Sequence, residues 1–129
     1  MQKEFIKYEQ ALELKELGYN QSDYLNWYNL KGELQWDSEY SESEFSKKCC
    51  SAPLYQQAFR WFRENKLSDS CICRYQGRDD GGIYYYYCIN NDFGVEETRY
   101  FKEGFNTYEE AELACLKKLI EIVKQPKKD

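Results

Sequence analysis

Residues 107–123, TYEEAELACLKKLIEIV, constrain the fold more than any other stretch of the chain. Thr107 and Glu110 have the S/T-x-x-E spacing of a capping box, in which each side chain satisfies a backbone N–H left unpaired at a helix start. Glu109, Glu110 and Glu112 occupy the first turns, where the helix dipole favours anions. Lys117, Lys118 and Lys124 lie toward the other end, where it favours cations. At about 100° per residue, Ala111, Cys115, Leu119 and Ile122 fall together, with Leu113, Leu116, Ile120 and Val123 on the adjoining flank. So wide an apolar arc predicts a helix packed on a sheet with a second helix beside it. Glu112 projects into that arc and reads as a rim residue.

A chain of 129 residues is long enough for one domain with a single core, and none of it is a Pro/Gly/Ser linker or a repeat. Hydrophobic residues make up 42% and aromatics 18%, which excludes a disordered tail. No apolar run approaches a membrane span and no charged-then-apolar signal opens the sequence, so a cytoplasmic location without membrane attachment is expected. In that setting Cys49, Cys50, Cys71, Cys73, Cys88 and Cys115 read as reduced thiols, with Cys88 and Cys115 at core-like positions. The cysteine spacings are C-C and C-x-C, and histidine is absent, so a zinc site is disfavoured. Lack of histidine also removes the commonest general base and the usual activator of a Ser or Cys nucleophile. No cofactor is implied. The net charge of −5 disfavours unassisted phosphate binding and favours a basic partner.

The remaining elements follow in order. Residues 9–17 read as a helix stopped by Gly18, with Ala11, Leu14 and Leu17 as its buried stripe. Residues 23–29 and 33–36 read as a hairpin about Lys31-Gly32. The acidic run DSEYSESE carries Asp37, Glu39, Glu42 and Glu44 without a base, and these four are candidate docking residues for a basic surface. Ser51 is a candidate N-cap and Pro53 suits the first turn of a helix running to about Lys66. That helix would bury Leu54, Ala58, Trp61 and Phe62 and face Gln56, Arg60 and Arg63 outward. Strands are expected over 71–76, 83–90 and 95–101, the middle one alternating Ile83, Tyr85, Tyr87, Ile89 against Tyr84, Tyr86, Cys88. The reading is one α+β domain over 1–129, with an α-β-β part at 1–50 and an α-β-β-β-α part at 51–124. The predicted architecture is a two-layer sandwich, an antiparallel sheet with helices on one face, in the order α-β-β-α-β-β-β-α.

The α-β-β-β-α order of residues 53–123 resembles double-stranded-RNA-binding domains. In that family lysines open the last helix and grip phosphates, whereas here the matching positions read Tyr108-Glu109-Glu110-Ala111-Glu112. The loop 76–82 also lacks the family's histidine-bearing motif, so binding of duplex RNA in that manner is not expected. The phrases ALELKELGY at 11–19, APLYQQAFRWFRENKL at 52–67 and TYEEAELACLKKLIEIV at 107–123 are similar to a family of short proteins from gut bacterial genomes and their phages and prophages. That family brings no activity to carry over. It implies a small accessory protein of phage or mobile-element origin.

These features point to a non-enzymatic interaction protein, an inhibitor or modulator of a host protein with a basic surface. The 13 tyrosines supply the amphipathic contact area typical of interfaces. Two helices can cover one sheet face only, so the opposite face, with Tyr84 and Tyr86 outward and Arg74 beside them, is the expected interaction surface. The alternative is a nucleic-acid or nucleotide binder that stacks bases on these tyrosines, with Arg74, Arg78 and Arg99 supplying charge. An enzyme using Asp79, Asp80, Glu96 or Glu97 ranks third, because acids are ordinary in polar turns.

Overall fold

The computed structural model describes residues 5–19, 27–29, 31–35, 50–66, 68–92 and 97–124. Its elements are α1 (Tyr8–Glu16), β1 (Trp27–Tyr28), β2 (Leu34–Gln35), β3 (Cys50–Ser51), α2 (Tyr55–Asn65), β4 (Ser68–Gln76), β5 (Ile83–Asp92), β6 (Glu97–Phe105) and α3 (Tyr108–Lys124). The chain is α+β, and the expected order is present with one further two-residue strand, β3, ahead of α2. The strands form two antiparallel sheets, β2-β1-β3 and β4-β5-β6. The chain divides into two compact units, Met1–Ala58 and Phe59–Asp129, with the division inside α2.

In the first unit, α1 ends as Gly18 predicts. Gly18 has a φ of +101°, a region where a side chain is strained and glycine is not. Its N–H donates to the Lys15 carbonyl at 3.1 Å and the Tyr19 N–H to that of Leu14 at 2.9 Å. This paired arrangement satisfies carbonyls that a helix end leaves free. Ala11 and Leu14 are buried as expected, while Leu17 is half-buried and Gln10 joins the buried side. The β1–β2 turn is held by Asn29, whose Oδ1 accepts from the N–H groups of Lys31 and Glu33, each at 2.9 Å. The rest of the expected hairpin, residues 23–26 and 36, lies outside the described residues. Ser51 is not a helix cap. It belongs to β3 and pairs with Trp27, because the segment before Pro53 is drawn into the small sheet. Gln57 caps α2 instead, its Oε1 accepting the Leu54 N–H at 2.8 Å.

In the second unit, α2 continues with Trp61 and Phe62 buried and Arg60 and Arg63 exposed, as the periodicity predicts. α3 lies against β4 and β5, and less closely against β6. Its buried residues Ala111, Cys115, Leu116, Leu119, Ile120 and Ile122 come from both predicted flanks. Tyr87 and Ile89 of β5 are buried on the α3 side. The strand's alternation therefore aims Tyr84, Tyr86 and Cys88 at the opposite face. Cys88 is half-exposed there, which corrects its assignment to the core, whereas Cys115 is fully buried.

Candidate functional site: an aromatic groove on the open sheet face

Register decides which residues meet on the face away from α3. Directly opposed residues of an antiparallel pair share a face. β4 and β5 pair Cys71 with Cys88, Cys73 with Tyr86 and Tyr75 with Tyr84. On the other flank of β5, Cys88 pairs with Phe101 of β6. The open face thus carries a connected run of rings across all three strands. Tyr75 lies 5.9 Å from Tyr84 and 5.9 Å from Tyr86, and Tyr86 lies 5.1 Å from Phe101, measured between ring centroids. Tyr84 and Tyr86 are half-exposed, and Phe101 is 59% exposed. Ring pairs at these separations and tilted angles are mutually favourable.

The β4–β5 loop closes one end of this run. The Gly77 N–H donates to the Gly82 carbonyl at 2.7 Å and the Gly81 N–H to the Gly77 carbonyl at 3.2 Å. Asp80 folds back into the loop, accepting the Gly82 N–H at 2.9 Å on Oδ1 and the Tyr84 hydroxyl on Oδ2. A side chain at Gly77 would meet Asp80 Oδ1 at 2.5 Å and the Tyr84 ring at 2.9 Å, so the close approach of ring, carboxylate and loop needs glycine. The Tyr84 hydroxyl, then the Gly82 N–H, hold the Asp80 carboxyl below the usual range. The same bond holds the Tyr84 hydroxyl above its own. Tyr86 is likewise raised, first by its hydrogen bond with the Cys73 thiol.

Together these parts shape an open groove of about 800 Å³. Tyr75, Tyr84, Tyr86 and Phe101 form its apolar floor, and Arg78, Asp79, Asp80 and Glu103 are its charged border. Gly104 lies where β6 shifts register opposite Tyr86. It takes a φ of +93°, so an extra residue is accommodated without a strained side chain.

Tyr84 and Tyr86 therefore lie together on the open face. Arg74 does not join them: it pairs with Tyr85, and so leaves the sheet on the α3 side. Asp37, Glu39, Glu42 and Glu44 lie outside the described residues. The carboxylates considered for chemistry are not gathered. Asp79 and Asp80 sit at the loop end of β5, Glu97 pairs with Asp92 at the far end, and Glu96 lies outside the described residues. Tyr75 and Phe101 were not singled out from the sequence. The signal that finds Tyr75 is the GRDDGG loop, across which Tyr75 comes opposite Tyr84; Phe101 depends on the β5–β6 register, which sets it opposite Cys88.

Among the described residues no helix is long and apolar enough to cross a membrane. No family, curated protein or solved structure matches the chain.

Proposed function

We propose that the protein is a non-enzymatic interaction module whose groove on the β4-β5-β6 sheet receives a basic segment of a partner protein. The observation that carries this reading is the aromatic floor bordered by three carboxylates and one guanidinium. Lysine and arginine are attracted to aromatic faces and to carboxylates at once, and the net charge of −5 adds a longer-range pull on a basic partner. A host protein as that partner, and modulation of it as the outcome, belong to the same proposal. The stacking-platform alternative shares the tyrosines, but the same acids repel a phosphate backbone.

The test is fluorescence anisotropy with labelled lysine- and arginine-rich peptides and, in parallel, a labelled oligothymidine strand. Peptides should bind, more weakly as salt rises. The double variant Tyr86→Ser/Phe101→Ser should lose binding at least about tenfold, an effect of about 1.4 kcal/mol, while remaining folded by far-UV circular dichroism. Tighter binding of the oligonucleotide than of the peptides, or peptide binding indifferent to the double variant, would overturn the proposal.

A further inference from the structure

Beside the groove, on the same open face, three thiols converge. Cys71 and Cys88 are opposed across β4 and β5, and Cys73 lies two residues along β4. Cys71 is exposed and the other two are half-exposed. Among the described residues no group of three or more cysteine or acidic side chains is arranged to hold a metal ion. Neighbouring thiols on an accessible face can exchange with disulfides.

We propose that Cys71 and Cys88 are a cross-strand dithiol that low-molecular-weight disulfides close into an intramolecular disulfide. Geometry selects this pair out of three. A disulfide needs Cα atoms roughly 4.4–6.8 Å apart. The Gly77 N–H to Gly82 carbonyl bond marks a hydrogen-bonded pair. Alternation along the unshifted β4–β5 register makes Cys71 and Cys88 another, with Cα atoms about 5.5 Å apart. Cys73 and Cys88 are diagonal neighbours at about 7–8 Å, too far to bridge. Cys71 and Cys73 are two strand residues apart, about 6.6 Å, at the limit of the range.

The step is two successive exchanges. The Cys71 thiolate attacks one sulfur of a small disulfide, forming a mixed disulfide and releasing one small thiolate, which takes up a proton. The Cys88 thiolate then attacks the Cys71 sulfur and expels the second small thiolate. Both protein thiols are oxidised, one small disulfide is reduced to two thiols, and the two protons lost by the protein end on them. Desolvation, then the neighbouring Cys73 and Cys88 thiols, hold the Cys71 thiol above its ordinary range. Closure is therefore slow near neutrality and accelerates as pH rises, because the thiolate is the attacking species.

The test uses the full folded chain in glutathione buffers of graded oxidised-to-reduced ratio, quenched with acid, alkylated and mapped by peptide mass spectrometry. The expected product is the linked Cys71–Cys88 peptide pair, retained in Cys73→Ser and reopened by excess reduced glutathione. Cys88→Ser should instead accumulate a glutathione adduct on Cys71. A dominant Cys71–Cys73 link, glutathione adducts without any internal link in the unsubstituted chain, or free thiols at the most oxidising ratio would each overturn the proposal.

Discussion

Cys115 shows what burial does to a single ionisable residue. It is fully covered on the buried side of α3, and desolvation pushes its thiol from 9.0 to about 12, with the Ser70 hydroxyl pulling the other way. Tyr28 in the other unit is pushed from 10.0 to about 12, again first by desolvation. A group raised in the folded state contributes stability that is whole below its unfolded value and is lost as pH climbs through the folded one. Unfolding free energy should therefore fall between about pH 9 and pH 12, with Cys115 accounting for a loss on the order of a few kcal/mol. Urea titrations across that range should show the decline, and Cys115→Ala should flatten part of it. Equal slopes for both proteins would refute the assignment. The sequence offered Cys88 as an equal candidate for burial. Its alternation along β5 puts it instead on the face of Tyr84 and Tyr86, the one α3 leaves open.

At the scale of the element, α3 was the most legible part of the chain. Thr107 Oγ1 accepts the Glu110 N–H at 3.1 Å, and Glu110 Oε2 accepts the Asn106 N–H at 3.2 Å, one residue earlier than the simplest capping box. Thr107→Ala should lower stability by about 1 kcal/mol, read by chemical denaturation; an unchanged midpoint would mean that the cap is idle. The neighbouring strands were less legible. β4 begins at Ser68, before the expected residue 71, since Ser68, Asp69 and Ser70 carry little strand propensity and are held by pairing with Asn91, Asn90 and Ile89. β6 runs on to Phe105, past the expected 101, because Gly104 absorbs the register shift. Pairing partners distant in sequence overrode local preference in both cases. The groove was legible to the same degree: Tyr84 and Tyr86 follow from β5's own alternation, whereas Tyr75, Phe101 and the exclusion of Arg74 depend on which strand residue lies opposite which.

Across the whole molecule, the order of the larger sheet has a consequence for how copies of the chain behave toward one another. With β5 in the middle, β4 and β6 are the outer strands, and no strand among the described residues pairs beyond either. Such margins present rows of amide donors and acceptors that a second chain can extend. β6 carries charges of both signs there, with Arg99, Lys102 and Glu103 exposed, and charges on a margin discourage strand addition. Replacing Arg99 and Glu103 together with valine removes one charge of each sign and leaves the net charge at −5. The double variant should form larger species at high concentration in sedimentation velocity, while the unsubstituted chain does not; identical profiles would refute the protective role. The ionic residues along β6 thus raise the concentration the protein can reach before its sheets begin to join edge to edge.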